Sequence, residues 1–187
     1  DCLLSRGLGD VYKRQPPMKS IEISLNEYFT KFSNIQVEPI LDGIMINLFH
    51  VDNEWILSTR SNIGGYNKWS NESGCNFKKM FNECKKFEMD ELNKKYMYSF
   101  IIRHNKNRNV ANIVINELYL IEIRDSKTLE NIENIDNIDN KFNKVDSISL
   151  SETDDLFKNH EIKGYTFYEN NVRYKIVNVL YNEVRSL

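Results

Sequence analysis

Short runs of β-branched and aromatic residues, closed by tight turn signals, constrain this chain more than any other feature. Gly43 to Val51 reads as a strand, Asp52-Asn53-Glu54 as a turn, and Trp55 to Arg60 as the returning strand. Tyr96 to Arg103 is a further strand, with Tyr96, Tyr98, Phe100 and Ile102 on one face, and Asn105-Lys106-Asn107 turns it. Val110 to Val114 and Leu118 to Arg124 read as strands as well. Gly164 to Tyr168 and Val172 to Val177 flank Glu169-Asn170-Asn171 and predict a second hairpin. One helical pattern interrupts the series: Phe77, Met80, Phe81, Cys84 and Phe87 share a face between Asn76 and about Lys95, and lysines 78, 79, 85 and 86 with Glu83 fill the other. Leu180 to Ser186 reads as a closing helix. Strands joined by turns with an inserted helix predict an α+β domain with antiparallel sheets. Gly64-Gly65 breaks the chain, and neither a P-loop nor a G-x-G-x-x-G motif is present.

Composition sets the outer limits. A chain of 187 residues, 41% hydrophobic and 28% charged, predicts one domain or a domain with an appendage. No run approaches the roughly 20 apolar residues that span a bilayer, and the first residues show no secretory core. The net charge of −2 points to no nucleic-acid partner by itself, although a neutral total is compatible with a local basic groove. Cys2, Cys75 and Cys84 are odd in number and lack C-x-x-C spacing, which argues against a disulfide scaffold and a zinc site and fits a reducing, cytoplasmic setting. The 25 Asn, with many Lys, Ile and Tyr, read as the coding bias of an AT-rich genome rather than as chemistry.

Two stretches stand apart. Residues 1–15, DCLLSRGLGDVYKRQ, contain neither Asn nor Ile and are read as an adapter or assembly scar. Residues 126–147 repeat N-I-[ED] at 131–133, 134–136 and 137–139, and are read as a low-complexity surface insertion. A three-residue period drifts about 60° per repeat around a helix and holds no face.

Three segments, taken in order, carry a resemblance. Leu41-Asp42-Gly43 leads into W-I-L-S-T-R at 55–60. FIIRHNKNRNV at 100–110 is followed by ELYLIEIRD at 117–125, and Lys163-Gly164-Tyr165 leads through a hairpin to R-Y-K-I at 173–176. Over roughly residues 20–187 the chain resembles the phage-type RNA ligases of the covalent nucleotidyltransferase superfamily, and more closely the divergent ligase-like proteins of giant DNA viruses. The resemblance implies an ATP-grasp-like nucleotidyltransferase domain over 16–187, a fragment whose C-terminal part is missing. It implies ATP and Mg²⁺ as cofactors if the domain is active, nucleotide and RNA as partners, and no membrane.

In that family a Lys in K-x-D-G attacks the α-phosphate of ATP and keeps AMP as a phosphoramidate, which needs an amine with a lowered pKa. Asp42 and Gly43 match the D-G, but the Lys position is Ile40. The second motif places a Glu after Phe; here Ile101 follows Phe100. Asn107-Arg108-Asn109-Val110 nearly matches the family's N-R-I-V. The third motif's E-G is Lys163-Gly164, with Glu161 upstream; in the final K-x-K, Lys175 matches and Val177 departs. Arg60 stands where the family has a basic residue after the hairpin. Scaffold positions thus match better than chemical ones, which implies a copy that does not self-adenylylate by the usual route.

By the resemblance, Asp42, Gly43, Arg60, Phe100, Arg108 and Lys175 are candidates for the nucleotide, and Arg60, Arg108, Arg173 and Lys175 for the backbone of RNA. Lys163 and Lys175 are alternative nucleophile candidates. Trp55 and Phe49 are better read as core than as base-stacking groups. His50, His104 and His160 lack ligand spacing, and no metal ligand is assigned. Three functional readings are open at this level: a degenerate ligase-like domain that still binds a nucleotide or RNA end, an active ATP-dependent RNA ligase using another lysine, and a non-enzymatic RNA-binding or structural module.

Overall fold

A computed structural model describes residues 20–32, 34–68, 74–107, 110–132, 141–150, 158, 161–170 and 172–187. The scar assigned to 1–15, Arg108, His160 and most of the 131–139 repeat lie outside them. The chain forms two compact units. The first contains Gly43–Arg108 and Ile113–Lys144; the second contains Met18–Asp42, Asn109–Asn112 and Val145–Leu187. No helix among the described residues is long and apolar enough to cross a membrane.

The elements, in chain order, are β1 (Ile21–Ile23), α1 (Leu25–Lys31), β2 (Glu38–Pro39), β3 (Ile44–Val51), β4 (Glu54–Ser58), α2 (Phe77–Cys84), β5 (Tyr96–Arg103), β6 (Glu117–Asp125), β7 (Gly164–Glu169), β8 (Val172–Val177) and α3 (Val179–Ser186). The first unit holds a four-stranded antiparallel sheet in the order β4-β3-β5-β6. Asp52 (φ 48) and Asn53 (φ 65) close the β3–β4 hairpin with positive φ at both central residues, the twist-matched turn that Asp and Asn tolerate. Ile44, Ile46 and Leu48 of β3, Tyr98, Phe100 and Ile102 of β5, and Met80, Phe81 and Cys84 of α2 form one core. A bulge in β6 completes it. Tyr98 faces Ile123 and Ser99 faces Glu122, but Phe100 faces Leu120, so Ile121 is skipped. The skip turns Leu120 and Leu118 inward with Ile123, where strict alternation would have turned them out.

The helix is shorter than its periodicity predicts. Asn76 caps it, its Oδ1 accepting from Lys79 N at 2.8 Å. It ends at Cys84, and Lys85 is already extended at ψ 138. Phe87 then turns inward against Phe81, Phe100 and Phe142, with ring centroids 4.9–6.3 Å apart. Packing of that ring overrides the helical register of the following residues.

The second unit's sheet runs β1-β8-β7-β2. β7 pairs antiparallel with β8 and β2, whereas β1 pairs parallel with β8, a departure from the all-antiparallel expectation. The parallel pair is possible because β1 and β8 are joined by the whole intervening chain rather than by a hairpin. Ser24 caps α1 by accepting from Glu27 N at 3.1 Å. Tyr28, Phe167 and Ile176 form the unit's core with Val37 and Tyr165, and the Phe167 and Tyr174 rings stack at 5.2 Å.

Val110 to Val114 is not a strand. Val110 and Ala111 give their N–H groups to a carboxylate instead of a ladder, which is where the site begins.

Candidate functional site

Asp42 follows β2 and organises the second unit's polar cluster. Its Oδ2 accepts from Val110 N at 2.8 Å and from Ala111 N at 3.2 Å. The Tyr181 hydroxyl on α3 donates to the same carboxylate; burial first, and this bond second, push the phenol up. Sequence reading missed Tyr181 because a Tyr on an amphipathic helix carries no mark of function.

Lys163 lies immediately before β7 and is half-buried. Burial lowers the pKa of its amine; the nearby positive charges of Arg185 and Lys175 push the same way, and Asp42 opposes them. The backbone fixes this placement. Asn178 N–H donates to Lys163 O at 3.1 Å, Asn178 Nδ2 donates to Ile162 O at 2.8 Å, and Asn178 Oδ1 caps α3 at Leu180 N, 3.0 Å away. One asparagine thereby ties the start of α3 to the segment entering β7. Gly164 has φ +145, and a Cβ there would fall on the Ile176 carbonyl oxygen, so the residue after Lys163 must be glycine.

Ile40 donates its N–H to Gly164 O at 2.8 Å. It continues the antiparallel track in which Pro39 faces Tyr165, which puts Lys163 beside residues 40–42. The amine on which the Asp42 charge acts therefore comes from the opposite strand's entry and not from position 40.

Behind this cluster the sheet carries one polar row. Glu22, Lys175, Thr166 and Glu38 are successive cross-strand partners over β1, β8, β7 and β2. Lys175 is paired with Glu22 at 2.8 Å. Arg173 Nε donates to Thr166 Oγ1 at 3.0 Å, and its charge partly offsets the burial that raises the Glu38 carboxyl. Lys163, Lys175 and Arg185 against Asp42 and Glu22 leave one positive charge in surplus, suited to a phosphate.

The remaining candidates belong to the first unit. Phe100 is fully buried, packed between Tyr98 and Phe87 at 6.2 and 5.8 Å, and offers no face to a ligand in this state. Gly43 is needed for close approach, since a Cβ would lie 2.5 Å from Ile102 O. Arg60 is exposed just beyond β4, after Thr59 turns the chain through Asn62. Trp55 packs on His50 and Tyr98, and Phe49 is 2% exposed. Arg108 lies outside the described residues.

His104 is fully buried. Its Nδ1 accepts from Lys106 N at 3.1 Å, so Nε2 carries the proton toward Glu83 at 2.8 Å. That bond holds the Glu83 carboxyl below its ordinary range. Among the described residues no group of three or more His, Cys, Asp or Glu is placed to hold a metal.

No protein-family model and no curated protein sequence matches the chain. Solved structures do. An Aquifex aeolicus protein described as an ATP-dependent DNA ligase aligns with a TM-score of 0.59 at 14% identity, over 89% of this chain and 50% of that one. A Naegleria gruberi RNA ligase with pyrophosphate aligns at 0.52 and 14%, over 90% and 58%. A variant of a Naegleria gruberi RNA ligase, solved with ATP and Mn, aligns at 0.52 and 15%, over 82% and 52%. The chain thus spans about half the length of these neighbours. At such identities the likeness is one of fold: the chain is folded like part of the ATP-dependent DNA and RNA ligases.

Proposed function

We propose that this is a degenerate ligase-like nucleotidyltransferase domain that binds a nucleotide or an RNA end without self-adenylylating through position 40. The observation that carries it is Ile40: its backbone is held by Gly164 O at 2.8 Å, and its side chain has no amine to form a phosphoramidate. Two residues on, Asp42 accepts from Val110 N, Ala111 N and the Tyr181 hydroxyl, and the charge of Lys163 lies near it, with Arg185 and Lys175 near Lys163 in turn. In this reading the cations bind and orient the phosphates, and Asp42 holds the cationic groups in register. Among the described residues no group of three or more His, Cys, Asp or Glu is placed to hold a metal, and the third motif's Glu position is Lys163.

Incubation of the chain with α-labelled ATP and Mg²⁺ tests the proposal. The expected result is no covalent label, together with a rise in Tm on adding ATP or a short RNA. An acid-labile adenylate overturns it. Absence of any ligand-dependent shift overturns it too, in favour of a structural module.

A second reading is favoured by Lys163. A desolvated amine beside Asp42 is the condition a nucleophilic lysine needs, whereas Lys175 is held in an ion pair with Glu22. In an active ATP-dependent RNA ligase of this kind, neutral Lys163 Nζ would form the N–P bond to the α-phosphorus as pyrophosphate leaves. Loss of label in Lys163→Ala, and its retention in Lys175→Ala, would establish that route.

A further inference from the structure

Asn178 follows Val177, the last residue of β8, and Val177 faces Gly164. Antiparallel register therefore sets residue 178 across from Lys163, within the second unit. The residue is 1% exposed, and every polar group it has is used. Its N–H donates to Lys163 O at 3.1 Å, and its Nδ2 donates to Ile162 O at 2.8 Å. Its Oδ1 accepts from Leu180 N at 3.0 Å, and its carbonyl accepts from Asn182 N at 3.3 Å.

The first two bonds meet the peptide planes on either side of one Cα. Ile162 O belongs to the plane before Lys163, and Lys163 O to the plane after it. Peptide units are planar, so pinning both leaves φ and ψ of Lys163 little freedom and fixes the direction of its Cα–Cβ bond. One plane further on, Gly164 O is held by Ile40 N–H at 2.8 Å. The other two bonds of Asn178 start α3, the helix whose Tyr181 hydroxyl donates to Asp42. A single residue thereby sets the origin of the Lys163 amine and of the phenol that holds Asp42.

The chemistry of the position selects asparagine. The side chain must accept from an N–H two residues on, as helix caps do, and also donate sideways to a carbonyl. Aspartate caps a helix but has no donor, and serine offers a single oxygen on a shorter side chain. An amide supplies acceptor and donor from one planar group.

We propose that Asn178 is the positioning residue of the Lys163–Asp42 pair, acting through the backbone on either side of Lys163 rather than by touching a ligand. This role rests on the phosphate-binding reading of the cluster given above, and adds to it the residue that sets the cluster's geometry.

Competitive acetylation of the full chain from pH 7 to 11, read lysine by lysine by mass spectrometry, tests it together with ATP titration calorimetry. Asn178→Ser keeps a cap and loses the donor to Ile162 O; Asn178→Asp keeps shape and cap and sets a carboxylate against that carbonyl. The charges acting on the Lys163 amine, Asp42 ahead of β3, Lys175 on β8 and Arg185 on α3, are the same in both. In the wild type, Lys163 should label at lower pH than Lys79, whose side chain is 59% exposed. In either variant the Lys163 profile should move up toward that of Lys79, with labelling at pH 8 falling about threefold or more. ATP affinity should fall by about tenfold, the size of one hydrogen bond to a charged group. A merely structural role would lower Tm and leave the Lys163 profile in place. That outcome, in a variant shown by circular dichroism to be folded, overturns the proposal, as does ATP binding by Asn178→Ser as tight as the wild type's. Should neither variant fold, the wild type decides: a Lys163 profile like that of Lys79 means the amine is not held, and overturns it. If the wild type binds no ATP, the phosphate-binding reading fails, and the labelling profile still decides the role of Asn178.

Discussion

Lys163 holds its charge where the fold disfavours it. Burial and the neighbouring cations lower its pKa, so the folded chain releases this proton more readily than the unfolded chain, whose lysine titrates near pH 10.4. Between the two values the unfolded state binds more protons, so stability rises with pH through that window and the cost is full below it. Lys163→Met should therefore raise Tm at pH 7 by about 2–4 °C and remove its share of the alkaline rise, measured by thermal melts from pH 7 to 11. Gly164 shows the opposite sensitivity. Gly164→Ala adds a Cβ onto a carbonyl oxygen at positive φ and should lower stability by at least about 2 kcal/mol in urea unfolding. Neither property is legible in the residues: a Lys-Gly pair carries no signal of burial, and only the register of β7 against β8 puts Ile176 O behind residue 164.

Elements were legible where a local pattern fixed them. The β3–β4 and β7–β8 hairpins and β5 follow from alternation and turn residues, and their bounds agree with the expected ones to within two residues. The N-terminal β1, α1 and β2 went unread, although S-L-N-E at 24–27, with Tyr28 and Phe29 after it, is a capping-box signature. The β6 bulge was not readable, because its alternation breaks only when Phe100 selects Leu120 over Ile121. The helix α2 is anchored by Met80, 0% exposed in the core. Met80→Ala should cost about 2–4 kcal/mol by denaturant unfolding. Cys84 on the same face has its thiol pushed up to about 12, chiefly by burial. It should resist iodoacetamide at pH 8 in the folded chain and react once unfolded, as followed by mass spectrometry.

At the scale of the molecule, two units each close a core of their own around one four-stranded sheet. Their charged contacts give the chain an acid limit. Glu83, held below its ordinary range by His104, contributes stability that is present above about pH 4.3, the unfolded value, and is lost as pH falls through the lower folded value. His104→Ala should abolish this part of the acid transition, seen by circular dichroism between pH 2 and 6. The amino-acid sequence by itself determined the class of fold, the strand pairs that lie close along the chain, and the absence of an amine at residue 40, because these depend on neighbours a few residues apart. Only the tertiary structure decided that Lys163 lies near the charge of Asp42, that Tyr181 bonds Asp42 with Arg185 nearby, and that Ser58, Asn47, Ser99 and Glu122 form one row. Those groupings bring together residues from separate segments, and cross-strand register and burial, which no short stretch of sequence encodes, set both their proximity and their charge.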